Sequence, residues 1–374
     1  MSLDLPILNV PSTGSPTALP CALDLDLQGL GAVFGSLGEP RYRARQVFRA
    51  LHQRGAASWD ECSELPTPLR RALADRFRVR SGETVAQARS EDGTRKRLVR
   101  LADGQEIETV AIPATSPRGA RRLSVCVSTQ AGCAMACTFC ATGSMGFARH
   151  LTTGEIVDQV YGFGRDGGAR PTHVVFMGMG EPLANYAATV AAIRLLCHLD
   201  GAGLSQRRIT VSTSGLVSEI RALAEESLEV TLAISLHAPD DAVRSELMPI
   251  NRRYSLGELI PAATAYGERT GRRVSYEYIM LDGVNDRPDQ SDRLAALLPK
   301  RLSHVNLIPY NWTDAAYQAS PPARAREFRD RLTRAGLSAT IRASRGRDIA
   351  AACGQLKAEN RCRVSPSPSG RGLG

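Results

Sequence analysis

The sequence contains no long apolar run. No hydrophobic stretch reaches the roughly 18 residues that a membrane-spanning helix needs. Residues 1–25 have neither the basic start nor the apolar stretch of a secretory signal peptide. We therefore expect a cytoplasmic protein without membrane contact, in which the nine cysteines stay reduced and are available for metal binding or catalysis.

Lysine is scarce. Of the 47 basic residues only Lys96, Lys300 and Lys357 are lysines, so 44 are arginines. Against 38 acidic residues this gives a formal net charge of +9, which favours a polyanionic partner because basic side chains neutralise phosphates. A compositionally biased genome would produce the same excess of arginine, so the charge alone leaves both explanations open.

Three short basic runs are candidates for contact with a polyanion, although a solvated protein surface would have the same composition. The runs are Arg95, Lys96, Arg97 and Arg100; Arg118, Arg121 and Arg122; and Arg342, Arg345 and Arg347.

Composition and periodicity divide the chain into five segments. Residues 1–25 and 357–374 are rich in small and polar residues, and we expect a disordered leader and a disordered tail. Residues 26–86 have helical periodicity and predict a small helical accessory domain. Residues 87–117 alternate as strands do, which predicts a β-hairpin extension that turns at residues 102–104. The core follows at residues 118–356.

Strands and helices alternate through the core, which indicates an α/β fold with a partial parallel (β/α)6 barrel. A capping box, Thr152 and Glu155, marks the start of one helix. Polar loops follow the strands, and catalytic groups of such barrels gather at the carboxyl ends of the strands. The predicted strands are Leu123–Ser128, His173–Met177, Arg208–Ser212, Val230–Ser235, Arg273–Met280 and His304–Ile308, with a further strand at Leu337–Arg342.

Three cysteines form a C-x3-C-x2-C motif directly after the first core strand. They are Cys133, Cys137 and Cys140. Thiolates suit iron–sulfur clusters, and three ligands on a four-iron cluster would leave one iron open for a substrate. Zinc sites usually close with four ligands from paired C-x2-C units, but zinc or unliganded cysteines remain alternatives on spacing alone.

The motif is the hallmark of the radical S-adenosylmethionine superfamily, and the longer segments resemble its RlmN-type RNA methyltransferases. The resemblance runs from about Arg41 to Leu356 and implies the radical S-adenosylmethionine barrel. It is carried by GCAMACTFCATGSMGFARHLTTGEI, VVFMGMGEPLANY, ITVSTSG, LAISLHAPDD, PINRRYSL, YEYIMLDGVND, HVNLIPYN and DIAAACGQL.

The resemblance implies a monomeric RNA methyltransferase with a [4Fe-4S] cluster on the three cysteines. It implies methylation of carbon 2 of adenosine 2503 in 23S rRNA and of adenosine 37 in some tRNAs. Two molecules of S-adenosylmethionine would be used per turnover, with an electron donor such as flavodoxin.

The resemblance also assigns three catalytic residues. Cys353 matches the cysteine that carries the methyl group, Cys126 the cysteine that resolves a protein–RNA crosslink by forming a disulfide with Cys353, and Glu108 the proposed base. From the residues alone, Cys126 could be an ordinary buried cysteine, Cys353 an ordinary residue of a small-residue loop, and Glu108 an exposed strand carboxylate.

Further residues match the family's binding site for S-adenosylmethionine, although His237 by itself could equally be a structural histidine. They are Gly180, Glu181, Ser212, Ser235, Leu236, His237 and Asn311.

Three other functions remain open at this point. A Cfr-type enzyme would modify carbon 8 of the same adenine. A radical enzyme for a peptide or small metabolite would use the same cluster but should lack the cysteine pair and the basic N-terminal domain. A non-enzymatic iron–sulfur protein that binds RNA or senses redox state would have no open iron.

Overall fold

The N-terminal part of the chain is helical. The computed structural model describes residues 19–115, 119–165, 169–313 and 315–358. The first helices are α1 (Leu27–Ser36), α2 (Tyr42–Phe48), which continues as a π-helical segment at Arg49–Arg54, and α3 (Thr67–Ala74). Asp26 starts α1 by accepting a hydrogen bond from Gly29 N at 2.7 Å. The buried face of these helices includes Phe34 and Phe48, so they pack into one hydrophobic layer.

The predicted disordered leader extends too far along the chain. Ala22 and Leu23 are fully buried, and Ala22 N donates to Arg78 O at 2.8 Å. Burial of these apolar side chains stabilises the segment, which short-range composition could not reveal. Residues 1–18, and residues 359–374 of the predicted tail, lie outside the described residues.

The β-extension has three strands where two were predicted. Its strands β1 (Gly82–Arg89), β2 (Arg95–Leu101) and β3 (Glu106–Thr115) pair antiparallel in sequence order. The predicted turn is confirmed, with Gly104 at φ +85° and its N–H donating to Leu101 O. The helical prediction is wrong for residues 82–86, because the polar and small residues of β1 carry too weak a pattern.

The core is a parallel sheet that continues from β3, as predicted for a partial barrel. The small hairpin of β5 (Gln130–Gly132) and β6 (Phe147–His150) lies outside the main sheet. All seven predicted strands are present, with bounds shifted by no more than two residues. In spatial order they are β4 (Arg121–Cys126), β7 (His173–Phe176), β8 (Ile209–Thr213), β9 (Thr231–Ser235), β10 (Val274–Met280), β11 (Ser303–Pro309) and β12 (Ser338–Ile341).

Helices connect the parallel strands. The predicted capping box is confirmed, since Thr152 N donates to Glu155 Oε2 at 2.9 Å and Glu155 N donates to Thr152 Oγ1 at 3.2 Å. No helix in the described parts of the chain is long and apolar enough to cross a membrane. The helices are α4 (Thr153–Arg165), α5 (Tyr186–Cys197), α6 (Val217–Glu225), α7 (Asp241–Leu247), α8 (Leu256–Thr270), α9 (Pro288–Leu297) and α10 (Pro322–Arg334).

A buried carboxylate joins α4 to the start of the β-extension. Asp158 accepts hydrogen bonds from Ser81 N at 2.9 Å and Ser81 Oγ at 2.8 Å, and it pairs with Arg165 at 2.5 Å. Burial alone would raise the pKa of Asp158, but Arg165 and Arg80 outweigh it and hold the pKa below 3.8. The carboxylate is therefore charged and fully partnered in the folded protein.

We predict that Asp158→Asn lowers the free energy of unfolding by about 1.5–3 kcal/mol at neutral pH, because two arginines lose their charge-assisted partner. The contribution of a carboxyl with a lowered pKa is present above its unfolded value of 3.8 and disappears as pH falls through the folded pKa. Denaturant unfolding at several pH values should therefore show the two proteins converging below that value. The exposed Asp289→Asn variant is the control, and an equal loss there would contradict this account.

Candidate active site

A small hairpin positions the three-cysteine motif. The loop that carries Cys133, Cys137 and Cys140 leaves β5 and returns to β6, and Cys133 N donates to Gly146 O at 2.7 Å across its base. Gly132 has φ +76°, and a Cβ there would lie 2.0 Å from Gly146 O. The close approach of the two strands therefore requires glycine at this position.

All three thiols of the motif line one cavity at the carboxyl ends of the core strands. The cavity has about 890 Å³ of atom-free space, including its open mouth. None of the three cysteines forms a disulfide. Burial raises the pKa of Cys133 to about 12, and the nearby Cys140 thiol adds to the shift. The thiols are thus neighbours that would need a metal to become thiolates at neutral pH.

The arrangement of the cysteines favours a cluster over a single zinc ion. Within residues 19–358, apart from the undescribed gaps, no three His, Cys, Asp or Glu side chains converge on a point where one metal ion could sit. Zinc requires such convergence, usually by four ligands. Thiolates are the usual ligands of iron–sulfur clusters, and three thiols line this one cavity. The donor set of the cavity therefore suits a [4Fe-4S] cluster.

Most of the predicted S-adenosylmethionine residues meet in this cavity. Gly180, Glu181, Ser212, Ser235 and His237 line it beside the cysteines. Leu236 is fully buried and is not among the lining residues, and Asn311 lines an adjacent chamber instead.

Gly180 and Glu181 join two strand-end loops. Gly180 has φ +96°, and a Cβ there would lie 2.5 Å from Gln130 Cβ. The Glu181 carboxylate accepts hydrogen bonds from Leu183 N at 3.0 Å and Ser214 N at 2.7 Å, while burial raises its pKa. These bonds tie the loop after β7 to the loop after β8, so Glu181 shapes the cavity as well as lining it.

His237 has a defined tautomer. Ile279 N donates to His237 Nδ1 at 3.0 Å, so the proton of the neutral ring is on Nε2. Burial, assisted by Arg244, lowers the pKa of His237 to about 3. The ring therefore stays neutral at physiological pH and can donate only from Nε2.

Two of the three predicted catalytic residues, Cys126 and Cys353, share a second chamber. Cys126 and Cys353 line it together with Asn311 and Arg342. Cys353 and Arg342 also line the larger cavity. Cys353 therefore lies between the cysteine motif and Cys126, the position that a group-carrying residue needs.

Cys126 is the last residue of β4 and is held in the middle of the sheet. It pairs with Val110 of β3 and Val175 of β7. Burial raises the pKa of Cys126 to about 12, and the proximity of Cys353 adds to this, whereas Arg342 opposes it. Cys126 is therefore a protonated thiol at neutral pH until a reacting group arrives.

Glu108 is buried, which excludes an exposed strand carboxylate. Its Oε1 lies 2.8 Å from Lys96 Nζ, and its Oε2 accepts a hydrogen bond from Lys357 N at 2.9 Å. Glu108 does not line the chamber of Cys126, but the neighbouring Leu356 does. Its role as the base is not tested by this geometry and stays a prediction.

Two polar residues that line the cavity, Ser214 and Glu277, were not predicted from the sequence. Ser214 Oγ and Glu277 Oε2 are buried without a hydrogen-bond partner among the described residues, although Arg342 NH1 lies 4.0 Å from Glu277 Oε2. Such groups usually meet a ligand or water. A glutamate inside the apolar strand segment VSYEYIM was the available signal for Glu277.

The predicted basic runs differ in exposure. In the first run Lys96 is mostly buried and Arg97 is buried with its guanidinium over the Phe163 ring, whereas Arg100 is exposed. Arg121, Arg122, Arg345 and Arg347 are exposed. Arg118 lies outside the described residues.

Comparisons with known proteins show which family the chain resembles along most of its length. Residues 127–295 match the radical SAM superfamily, and residues 22–79 match the ribosomal RNA large subunit methyltransferase N-terminal domain. The dual-specificity RNA methyltransferase RlmN of Anaeromyxobacter dehalogenans is 49% identical over 90% of this chain and 91% of its own. A probable RlmN of Salinispora tropica is 50% identical over 90% and 92%. The crystal structure of a radical SAM methyltransferase from Sphaerobacter thermophilus, 48% identical, has a TM-score of 0.87 over 91% of this chain and 100% of that chain.

We predict that Gly180→Ala weakens binding of S-adenosylmethionine at least about tenfold, because its Cβ would displace Gln130 and the loop that faces the cavity. Equilibrium dialysis with the reconstituted protein measures this. Gly104→Ala is a matched control, since φ is +85° there but nothing lies within 4 Å of the added Cβ. Equal affinity in both variants would show that the close approach at Gly180 is unimportant.

Proposed function

This chain belongs to the RlmN family of radical S-adenosylmethionine RNA methyltransferases, and we propose on that basis that it methylates carbon 2 of adenosine 2503 in 23S rRNA. We propose carbon 2 of adenosine 37 in some tRNAs as a second target. The observation that supports the chemistry best is the position of Cys353, which lines both the cavity of the cysteine motif and the chamber of Cys126.

The cofactors follow from the family. The enzyme uses a [4Fe-4S] cluster and S-adenosylmethionine, and the cluster-bound cofactor supplies a 5′-deoxyadenosyl radical when it is reduced. Cys133, Cys137 and Cys140 would hold the cluster, with Glu181 and His237 beside the cofactor. We also propose two molecules of S-adenosylmethionine per turnover, an electron donor such as flavodoxin, and a monomeric enzyme.

Adenine carbon 2 is electron-poor and has no lone pair, so it cannot attack a sulfonium methyl group directly. In the proposed reaction the Cys353 thiolate, a good nucleophile, first takes the methyl group of one S-adenosylmethionine, which leaves as S-adenosylhomocysteine. The 5′-deoxyadenosyl radical that a second cofactor would supply then takes a hydrogen atom from the S-methyl group and becomes 5′-deoxyadenosine. The methylene radical left on the Cys353 sulfur adds to carbon 2 of the base. The half-buried Cys353 faces both spaces that this sequence requires.

The remaining residues would resolve the crosslink. The adduct radical would give one electron back to the iron–sulfur centre while Glu108 removes the proton from adenine carbon 2. Cys126, as a thiolate, then attacks the sulfur of Cys353 and breaks its bond to the base carbon, which takes up a proton and becomes the methyl group. The resulting Cys126–Cys353 disulfide must be reduced by an external thiol before the next turnover. The two cysteines share a chamber, and the Cys126 thiol stays protonated before the reaction because burial raises its pKa to about 12. An inert thiol at this place protects the enzyme from premature disulfide formation.

Family membership decides among the alternatives only in part. A non-enzymatic redox sensor or RNA-binding protein is excluded, because the chain belongs to a family of methyltransferases. Methylation of carbon 8 by a Cfr-type reaction would use the same cysteines. The relatives reported above are RlmN-type enzymes, so carbon 2 remains the proposal.

We predict that Cys126→Ala accumulates a covalent protein–RNA adduct, because the crosslink forms but no thiol resolves it. Cys353→Ala should give neither adduct nor methylated RNA. Denaturing gel electrophoresis of anaerobic reactions with labelled RNA measures the adduct.

The matched control is Cys197→Ala, which removes a partly exposed cysteine at the end of α5 and should behave as the unaltered enzyme does. Normal RNA methylation by both the Cys126 and the Cys353 variants would refute the two-cysteine mechanism.

A further inference from the structure

Lys96 bridges two parts of the chain that are far apart in sequence. Its Nζ lies 2.8 Å from Glu108 Oε1 and donates a hydrogen bond to Ala350 O at 3.2 Å. The Lys96 side chain is only 16% exposed. One ammonium group thus connects the β-extension to the segment that carries Cys353.

Glu108 completes this connection at the other end of the segment. Its second carboxylate oxygen accepts a hydrogen bond from Lys357 N at 2.9 Å. Lys96 and Glu108 therefore hold Ala350 and Lys357, the first and last residues of what we term the Cys353 loop, residues 350–357. A carboxylate that is 2% exposed makes strong bonds of this kind because water does not compete for it.

The loop that carries the cysteine motif holds the same segment from the opposite side. Ala141 N donates to Gly354 O at 2.8 Å, and Thr142 Oγ1 donates to Leu356 O at 2.6 Å. The Cys353 loop is consequently attached both to the loop of the cysteine motif and to the Lys96–Glu108 pair. Only the second of these two attachments depends on charge.

We propose that Lys96 is a positioning residue, whose ammonium group holds the Cys353 loop and the Glu108 carboxylate in the relative geometry that methyl transfer to RNA requires. This inference rests on the proposed function, because it assigns a role in the reaction of Cys353. It adds a residue to which the resemblance gave no role and which the sequence singled out only as a member of a basic run.

Lysine suits this position better than arginine. An ammonium group is a compact cation with three donors that can point to separate acceptors, whereas a guanidinium group is a wide planar fork. The chain uses arginine at 44 of its 47 basic positions, so a lysine here is contrary to its general preference. Lys300 shows the same use, with Nζ donating to Ala295 O at 3.1 Å and to Ala335 O at 2.6 Å.

The test compares Lys96→Met with Lys300→Met in the full-length protein. Hydrogen exchange followed by mass spectrometry reports the amide protection of residues 351–357 and needs no catalytic turnover. We expect Lys96→Met to lower that protection about tenfold or more, the factor that one charge-assisted hydrogen bond represents. Lys300→Met, which removes an equivalent bridge far from Cys353, should leave the protection of this loop unchanged.

The catalytic readout uses the reconstituted enzymes. Lys96→Met should lower the single-turnover rate of RNA methylation by about 10²-fold, as expected for a displaced reacting group, with little change in the KM for RNA. Lys96→Arg keeps the cation but not the compact ammonium and should recover only part of the rate. Full recovery by arginine would overturn the argument from ammonium geometry.

Glu108→Gln tests the other half of the Lys96–Glu108 pair. The amide has one oxygen and one NH2 donor, so it cannot accept from both Lys96 Nζ and Lys357 N. We therefore expect loop protection to fall as in Lys96→Met, and RNA methylation to be lost as well because the proposed base is gone. Undiminished loop protection in Lys96→Met would refute the positioning role. If the unaltered enzyme methylated no RNA, the proposed function would be wrong. The hydrogen-exchange measurement would still show whether Lys96 holds the Cys353 loop in place.

Discussion

The proposed chemistry depends on one geometric constraint, which is that one residue must reach two separate spaces. Cys353 lines the cavity of the three-cysteine motif and also the chamber of Cys126. Its loop comes from beyond the last strand of the sheet, so it has no regular element of its own to hold it. Hydrogen bonds from the cysteine loop, from Asn311 and from Lys96 fix it in place. The candidate site is thus assembled from loops that a rigid sheet supports.

The site also contains energetically unfavourable backbone conformations, which the surrounding fold holds in place. Ala136, His237 and Ala350 have left-handed backbone angles that are uncommon outside glycine, and they lie in or beside the cysteine loop, the cavity and the Cys353 loop. Arg244 is fully buried, and its guanidinium donates to Ser214 O and Ser235 O, which joins the loops after β8 and β9. Buried hydrogen bonds of this kind make the walls of a large cavity rigid.

The sequence predicted repeating features well and single long-range contacts poorly. The parallel strands and their polar loops follow from alternation, and the cysteine motif from its spacing. The burial of Glu108 was not predictable from the residues alone, because it depends on Lys96 and on a backbone N–H 249 residues further along the chain. The strand β1 was missed because its residues are mostly polar. Tertiary packing, and not the local sequence pattern, determines both the burial of Glu108 and the strand conformation of β1.

The most direct test of the account is mass spectrometry of nucleosides from unmodified 23S rRNA after anaerobic reaction with the reduced, reconstituted enzyme and methyl-deuterated S-adenosylmethionine. The account predicts 2-methyladenosine that retains only two of the three deuterium atoms in its transferred carbon, because the methyl group on Cys353 loses one hydrogen before it reaches the base. Retention of all three, or methylation at a different position, would contradict the account.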